Sequence, residues 1–360
     1  MASTQRKALE MYEIPRVVVF GPNAISKVPE ILSKVGGLNG LRGGLVLIGP
    51  HFGKHLIDKI ECRTCDVEEI DEISSDRIIE LSSRYAHITD YIIALGGGRI
   101  IDFGKAMAYI MNVPYVSIPT IASHDGIASP YVSHVLQLDL NKHGVGKVQR
   151  SPIAIIADTS IILEAPRRYL LAGIGELVGK LIAVKDWELA VRVKGEEFSE
   201  YAAALARDSA LIVLRNRDRL KVHSEESVRI VVKALLGCGV AMAIAGSSRP
   251  CSGSEHLFSH AIDLLARERG GFRPALHGEQ VALGAIMMAY LHGMKWRRIK
   301  SFLQSLNIPV TAKELGLDRD VIIEALTIAH NVRPDRFTIL GGAGLTRKAA
   351  ENVVEITGVA

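Results

Sequence analysis

Apolar residues in the first half of the chain occur in short runs that are separated by helical periods. The runs end at turn residues and predict six strands, at residues 16–20, 45–48, 66–70, 91–95, 115–118 and 153–157. Between them, apolar positions at helical spacing predict helices at residues 24–32, 54–60, 75–85 and 100–110. This alternation predicts a parallel, doubly wound sheet. Weak alternation across residues 132–150 predicts a hairpin.

The pattern changes near residue 166, after which only helical periods occur. They predict helices at residues 175–191, 199–214, 227–245, 253–269, 278–292, 295–306 and 318–329. The predicted fold is therefore an α/β, Rossmann-like parallel sheet domain at residues 1–165, followed by an all-α domain at residues 166–360.

The composition is that of a folded globular protein. The 360 residues are 48% hydrophobic and only 5% aromatic, and they carry a net charge of +4. No block of lysine and arginine is interleaved with aromatics, so no nucleic-acid partner is predicted. The first fifteen residues lack the apolar core of a signal peptide, and the longest weakly polar run, residues 234–246, is too short to cross a bilayer. We therefore expect a cytoplasmic protein without stable membrane insertion.

Two of the four cysteines, Cys62 and Cys65, form a lone CxxC motif. Without a second pair, the motif does not indicate a zinc ribbon. Two unpaired cysteines are the favoured interpretation, and a structural disulfide is the alternative if the source is a hyperthermophile.

Three consecutive glycines at positions 96–98 stand between the fourth predicted strand and the helix that follows it. Such a turn lets the backbone approach a pyrophosphate, and the helix start offers free N–H groups. The usual dinucleotide fingerprint would need glycine where Ile101 stands, so a tight turn without a ligand is the alternative. Asp102 could bond a ribose hydroxyl or only complement the helix dipole.

The loop after the fifth predicted strand contains Thr120, Ser123 and Asp125. Ligands of open α/β sheets bind at the carboxyl edge of the strands, where this loop and the glycine turn meet. Thr120 and Ser123 could contact phosphate or nicotinamide, and Asp125 could hold a substrate hydroxyl. A turn rich in serine and aspartate is the alternative.

Three histidines lie close together in the second half, at His256, His260 and His277. His256 and His260 are four residues apart and share one face of a helix, for which Ser252 and Glu255 predict a capping box. His277 opens the next helical run, so imidazoles from two helices can converge on a metal. Ordinary surface or core histidines are the alternative interpretation.

Five segments in this order resemble one family. They are GGGRIIDFGK, SIPTIASHDGIASP, AGIGELVGKLIAVKDWELA, SGSEHLFSHAID and LHGEQVALG. Together they resemble the iron-alcohol dehydrogenase and glycerol dehydrogenase superfamily and, within it, the archaeal-type glycerol-1-phosphate dehydrogenases. The resemblance extends over about residues 12–355. It implies a nucleotide-binding α/β domain, a helical metal- and substrate-binding domain, and an active site in the cleft between them.

The resemblance assigns roles to individual residues. Catalytic roles fall on His260 and Asp125, and His260 is the candidate proton donor. Substrate contacts fall on Asp125, Glu176 and His260. The metal ligands are Glu176, His256 and His277. The cofactor-binding residues are Gly96, Gly97, Gly98, Arg99, Asp102, Thr120, Ser123 and Ser129.

Glu176 departs from the family pattern, which usually has aspartate there. The related 3-dehydroquinate synthases use a glutamate, and glutamate is a competent zinc ligand. The alternative for Glu176 is a helical i, i+4 ion pair with Lys180.

The resemblance also implies a reaction, in which NADH or NADPH and one zinc ion per subunit serve the reversible reduction of dihydroxyacetone phosphate to sn-glycerol 1-phosphate. This product is the backbone of archaeal membrane phospholipids, and we expect a homo-oligomer, a dimer or higher. The alternatives are a glycerol dehydrogenase acting on unphosphorylated polyols, a 3-dehydroquinate synthase-like enzyme, and a catalytically silent regulatory protein that binds nucleotide or metal.

The sequence does not choose the phosphate-binding residues among four cations near the motifs, Arg249, Arg273, Lys180 and Lys185. No acidic residue follows the second strand closely, and Lys54 could meet a 2′-phosphate. We therefore expect the use of both NAD and NADP.

Overall fold

Six parallel strands form one sheet in the first half of the chain. The computed structural model describes residues 11–35, 43–50, 53–62 and 64–360. Within these ranges the strands are β1 Val17–Gly21, β2 Gly44–Ile48, β3 Cys65–Glu69, β4 Tyr91–Gly96, β5 Tyr115–Pro119 and β6 Ala154–Asp158. Their order across the sheet is β1-β6-β5-β4-β2-β3. All six predicted strands and the parallel sheet are confirmed.

Both faces of the sheet are covered, and this explains why the inner strands β2, β4, β5 and β6 are apolar at nearly every position. Leu45 and Leu47 of β2 belong to one hydrophobic core, whereas Val46 and Ile48 belong to a second core on the opposite face. The covering helices of this half are α1 Val28–Lys34, α2 Ser75–Tyr85, α3 Gly98–Met111, α4 His134–Lys142 and α5 Thr159–Glu164. Short 3-10 turns lie at Ala24–Lys27, Gly53–His55, Ile57–Ile60 and Asp125–Ile127.

The second half is helical and contains no strand from residue 159 onward. Its helices are α6 Arg167–Lys194, α7 Glu200–Arg215, α8 Arg217–Leu220, α9 Glu225–Ala245, α10 Ser254–Arg269, α11 His277–Leu291, α12 Trp296–Ser305, α13 Arg319–Val332 and α14 Arg347–Thr357, with a 3-10 turn at Lys313–Leu315. The predicted fold class is confirmed. The division into two domains at residue 165 stays a prediction.

Two glycines bring α6 and α11 into close contact. A Cβ atom on Gly175 would lie 2.3 Å from the carbonyl oxygen of Gly278, and one on Gly278 would lie 2.0 Å from that of Ala172. Only residues without side chains allow this approach. Because Glu176 and His277 are the chain neighbours of these glycines, the contact holds two candidate metal ligands side by side.

The predicted hairpin at residues 132–150 is wrong, because this segment contains helix α4. Leu136, Leu138 and Leu140 alternate along the sequence, which suggested a strand. In the helix, Leu136 and Leu140 lie one turn apart and are buried, while Leu138 is 36% exposed. The apolar spacing therefore fits both the two-residue period of a strand and the one-turn spacing of a helix, and packing against the core selects the helix.

Two local predictions are also corrected. Cys62 and Cys65 form a disulfide, with Cα atoms 5.5 Å apart, and are not unpaired. Helix α10 starts from Gly253 without a side-chain cap, so the capping box of Ser252 and Glu255 is not formed. The Glu255 carboxylate instead accepts a hydrogen bond from the Gly253 amide at 3.0 Å.

Helix α9 is the one described helix that is long and apolar enough to cross a membrane by length and composition. It is longer than the apolar run noted in the sequence, and more than half of its apolar stretch is buried inside the protein. The helix packs in the hydrophobic core through residues such as Val228, Val231 and Leu235.

Candidate active site

A cavity of about 430 Å³ lies where the carboxyl edge of the sheet meets helices α6, α10 and α11. The ends of β4 and β5 are adjacent, since Gly96 pairs with Pro119. The start of α3 and the segment after β5 therefore line one side of the cavity, through Gly98, Arg99 and Asp125. Glu176, His256 and His277 line the other side.

The three candidate metal ligands converge in this cavity. Oε1 of Glu176 lies 3.3 Å from Nε2 of His256, and Oε2 lies 3.5 Å from Nε2 of His277. All three donor atoms lie within 4.8 Å of one another. Oε2 of Glu176 is buried and accepts no hydrogen bond from any described residue. Two imidazoles and a carboxylate with an unused buried oxygen could hold a divalent metal ion.

The outer nitrogens of both imidazoles are held by side chains behind them. Nδ1 of His256 lies 2.6 Å from the Glu255 carboxylate, which is fully buried. Nδ1 of His277 lies 2.9 Å from the Ser259 hydroxyl. In the tautomer that leaves each Nε2 free for a metal, both Nδ1–H groups donate to these oxygens. The sequence did not identify Glu255 or Ser259 as partners of these imidazoles, although their positions on α10 placed them near the histidines.

Lys180 links Glu176 to Asp125. Its Nζ donates to Glu176 at 2.5 Å, to Asp125 at 2.7 Å and to the carbonyl of Cys251 at 3.0 Å, and its side chain is fully buried. The i, i+4 ion pair between Glu176 and Lys180, given above as an alternative to metal binding, is therefore present together with the contacts of Glu176 to the two histidines. Burial alone would favour a neutral amine, but Asp125 and Glu176 raise the pKa of Lys180 well above its usual value.

The same charges set the protonation of the ligands. Burial favours a neutral ring at His256, but Glu176 and Glu255 outweigh it and raise the pKa of His256 to about 9. Burial lowers the pKa of His277 to about 3. Burial also disfavours the charged form of Glu176, but Lys180 and His256 hold the pKa of this carboxyl well below its usual value. Without a metal, His256 is therefore protonated at neutral pH.

Metal affinity should consequently rise with pH. A metal ion has to displace the His256 proton, because only the neutral ring is a ligand. His277 is already neutral, so one proton is released. We expect the Kd for Zn²⁺ to fall about tenfold for each pH unit between about pH 6 and pH 8, measured by competition with a chromophoric chelator. An affinity that is independent of pH across this range would contradict the proton assignment.

His260 lies beside the cluster rather than within it. Its ring stacks on His277 with centroids 5.5 Å apart and lies 6.1 Å from the ring of His256. Burial and then the neighbouring cations hold the pKa of His260 well below its usual value. The ring is therefore neutral at neutral pH, and it lines the cavity next to the candidate metal ligands.

Two further groups of potential ligands occur among the described residues. They are His260, Asp263 and His277, and Asp125, Cys238 and Cys251. Burial raises the pKa of Asp263 to about 7, which weakens it as a charged ligand. Burial also raises the pKa of the Cys251 thiol well above its usual value, and Asp125 is already paired with Lys180. The set of Glu176, His256 and His277 is therefore the strongest metal candidate.

The glycine turn leaves the start of α3 open to the cavity. No side chain caps this helix, and Arg99 is exposed at its first turn. A Cβ atom on Gly98 would lie 1.8 Å from Nε2 of His124, so glycine is needed there for packing against this ring. Free N–H groups at an uncapped helix start could bind a pyrophosphate.

The other candidate cofactor residues divide into two sets. Asp102 and Ser129 line the cavity, whereas Thr120 and Ser123 do not. Both oxygens of Asp102 are engaged inside the protein, one by Lys105 at 3.0 Å and the other by the amide nitrogen of residue 133 at 2.8 Å. The amide of Thr120 donates to the carbonyl of Gly96, which joins the two loops at 3.0 Å.

The cations considered from the sequence as possible phosphate ligands are mostly engaged elsewhere. Besides Lys180, Arg249 pairs with Glu196, Lys185 pairs with Glu188 at 2.8 Å, and Arg273 is exposed. Lys54, considered for a 2′-phosphate, pairs with Glu69 at 2.5 Å.

Comparison with known proteins identifies the relatives of this chain. Residues 19–166 match the iron-containing alcohol dehydrogenase family. Glycerol-1-phosphate dehydrogenase (NAD(P)+) of Caldivirga maquilingensis is 55% identical over 355 residues, which are 98% of this chain and 99% of that protein. The enzyme of the same name from Pyrococcus furiosus is 46% identical and covers 98% of this chain and 100% of its own.

The solved structures agree on the fold. A probable glycerol dehydrogenase from Sinorhizobium meliloti has a TM-score of 0.75 at 22% identity, and the match covers 97% of this chain and 98% of that one. At that identity the likeness concerns the fold alone. Because the identity to the relatives above is high over nearly the whole length, the chain belongs to the glycerol-1-phosphate dehydrogenase family.

Proposed function

We propose that this protein catalyses the reversible, NAD(P)H-dependent reduction of dihydroxyacetone phosphate to sn-glycerol 1-phosphate. One observation supports this most strongly: the open helix start of the glycine turn and the cluster of Glu176, His256 and His277 line one cavity. A hydride donor and a carbonyl-activating group can therefore meet at one substrate. The names of the closely similar relatives agree with this reaction.

Glu176, His256 and His277 would hold one zinc ion. The donor set of two imidazoles and one carboxylate is typical of catalytic zinc sites. When bound, the ion would polarise the ketone oxygen of the substrate as a Lewis acid. Glu255 and Ser259 keep the two imidazole Nε2 atoms directed toward Glu176.

Asp125 is proposed to hold the free hydroxyl of the substrate. One of its oxygens is fixed by Lys180 at 2.7 Å, so the carboxylate has a defined orientation at the cavity wall. Lys180 also donates to the Glu176 carboxylate, so the same ammonium group positions both the substrate contact, Asp125, and the candidate metal ligand, Glu176. A preorganised pair of this kind holds the substrate in one orientation.

His260 is proposed to relay a proton to the substrate oxygen: one ring nitrogen donates its N–H to the developing alkoxide while the other nitrogen accepts a proton from water. Since burial and neighbouring cations keep the pKa of His260 well below its usual value, the ring acts as a neutral N–H donor and not as an imidazolium. A neutral imidazole can still stabilise a developing alkoxide by hydrogen bonding. Replacement of His260 with alanine should lower kcat by about 10²-fold or more; unchanged turnover across pH would remove His260 from this role.

NADH or NADPH is proposed to bind at the start of α3, through the amides of Gly97 and Gly98, with Arg99 at the rim. When bound, the nicotinamide supplies the hydride. Five further residues are proposed to complete this site: Gly96, Asp102, Thr120, Ser123 and Ser129. A homo-oligomer in the cytoplasm is part of the same proposal and follows from the family resemblance.

Cofactor oxidation separates this function from its alternatives. The zinc-loaded protein should consume NADH with dihydroxyacetone phosphate, consume it far more slowly with dihydroxyacetone, and consume none without a ketone. A preference for dihydroxyacetone would instead favour a glycerol dehydrogenase. A synthase would release phosphate from a sugar phosphate without net NADH consumption, and a silent protein would do neither.

A further inference from the structure

Two arginines lie on the segment between α13 and α14, at the end of the cavity beyond the histidines. Arg333 lines the cavity and donates from Nε to His134 at 3.3 Å and from Nη1 to the Ser248 hydroxyl at 3.3 Å. Arg336 lies beside it and donates to the same hydroxyl at 2.9 Å and to the carbonyl of Ser252. The two guanidinium groups therefore share one serine.

No carboxylate of the described residues lies within salt-bridge distance of either guanidinium, and Asp335 acts on both only at longer range. Among the described residues, Arg333 and Arg336 form no salt bridge, whereas Arg249 on the adjacent loop pairs with Glu196. Burial and then the charges of Arg333 and Arg249 lower the pKa of Arg336 to about 9, and burial also lowers the pKa of Arg333. Two like charges held together in this way would be stabilised by an anion.

The surroundings add one further positive charge, and they also contain the carboxylate of Asp335, which acts against the lowering of the pKa of both arginines. Lys147 lies over the ring of Tyr131 at 4.6 Å, and its pKa is lowered by burial and by the two arginines. Asp139, which also lines the cavity, is already paired with Arg267 and Lys142 at 2.8 and 2.7 Å. This end of the cavity therefore carries a positive excess.

Two imidazole rings, those of His134 and His260, lie between the arginines and the candidate metal ligands. The imidazole that accepts from Arg333, His134, lies 5.1 Å from the ring of His260, which in turn lies 5.5 Å from the ring of His277. Because Arg333 and the candidate metal ligands line one cavity, a ketone with an anionic group could contact the ligands through its carbonyl and Arg333 through that group.

We propose that Arg333 binds the phosphate group of the substrate and thereby selects phosphorylated over unphosphorylated ketones; this rests on the proposed function. The planar guanidinium matches phosphate oxygens in a bidentate manner. Nη2 of Arg333 makes no hydrogen bond with any described residue and is available. Arg336 is a positioning residue that fixes Ser248 and adds charge.

Kinetics with two ketones test this proposal. Arg333→Gln should lower kcat/KM for dihydroxyacetone phosphate by about 10- to 100-fold, the loss expected for charged hydrogen bonds, and leave kcat/KM for dihydroxyacetone unchanged. Arg333→Lys should give an intermediate loss, and Arg336→Gln a smaller one that also concerns only the phosphorylated ketone. Arg347→Gln is the matched control, since Arg347 is exposed and lies outside the cavity lining.

Inorganic phosphate provides a second measurement. It should inhibit the wild-type protein in competition with dihydroxyacetone phosphate, and this inhibition should weaken in Arg333→Gln. The KM values for NADH and NADPH should not change. Equal losses on both ketones, unchanged inhibition by phosphate, or a raised KM for NADPH alone would overturn the proposal, the last because it would assign the site to the cofactor.

The proposed reaction and the proposed anion site can be tested separately. If the wild-type protein does not reduce dihydroxyacetone phosphate, the reaction is wrong, and calorimetric titration of the zinc-loaded protein with inorganic phosphate then decides the anion site. Binding that is lost in Arg333→Gln but kept in Arg347→Gln would support it. Binding that is equal in all three proteins, or absent from the wild type, would overturn it.

Discussion

Replacement of Glu176 with glutamine should abolish zinc binding and lower kcat/KM by about 10³-fold or more. The carboxylate is one of three converging donors, and its Oε2 has no other described partner. A Lewis acid contributes several kcal/mol to transition-state stabilisation, and each ~1.4 kcal/mol corresponds to a factor of ten in rate. Metal content by mass spectrometry and steady-state kinetics measure the two effects.

Glu176→Asp is the control for this prediction, because aspartate is the residue that the family pattern usually has. It keeps the charge and shortens the side chain by one methylene, so zinc should still bind and part of the activity should remain. If Glu176→Gln retained a full equivalent of zinc, the metal would have to be held elsewhere in the chain.

Replacement of Lys180 with methionine should destabilise the fold by about 3–5 kcal/mol, as expected when one partner of a buried ion pair is removed. Asp125 and Glu176 would then be buried without their cation. Zinc supplies positive charge beside Glu176, so the loss should be smaller with zinc than with a chelator. Urea unfolding in both conditions measures the difference.

Lys185→Met is the matched control, on the same helix, because Lys185 is 47% exposed and pairs with Glu188 at the surface. The effect of Lys185→Met on the free energy of unfolding should stay within about 0.5 kcal/mol.

The folded-state pKa of Lys180 is raised, so the contribution of Lys180 to stability is complete at low pH and is lost only as the pH rises through that value. The effect of Lys180→Met should therefore be constant between about pH 6 and pH 8, below the pH at which His256 loses its proton. A variant as stable as wild type in chelator would contradict this role.

The sequence predicted the elements whose periodicity is dictated by burial. The inner strands are identifiable because a sheet covered on both faces leaves continuous apolar runs, whereas the edge strand β3, with the sequence CDVEE, has no such run. The segment at α4 was misassigned because Leu136, Leu138 and Leu140 fit two periods. Only the packing of Leu136 and Leu140 against the core makes it a helix.

The candidate site was only partly accessible from the sequence. Spacing on one helix places His256 and His260 on one face, and His277 at the start of the next helix can join them, but Glu176 is a candidate ligand only through the family resemblance. The sequence predicts Glu255 as a helix-capping residue and gives no sign of its contact with His256. Local patterns therefore indicate which residues share a helix face, not which atoms they contact.

Arg333 and Arg336 could not have been identified in this way. They lie on an irregular segment after α13, and they approach Ser248 only because that segment packs against the loop before α10. Asp186 joins the two segments, accepting from the amide of Ser254 at 2.6 Å and from the amide of Ile339 at 2.7 Å. Contacts between distant segments leave no periodic signal in the sequence.

The stereochemical configuration of the product is the most direct test of the proposed reaction. Zinc-loaded protein is incubated with dihydroxyacetone phosphate and excess NADH, and the glycerol phosphate formed is resolved into its enantiomers by chiral chromatography. We expect sn-glycerol 1-phosphate alone. Formation of sn-glycerol 3-phosphate, of a racemic mixture, or of no glycerol phosphate would contradict the proposed function.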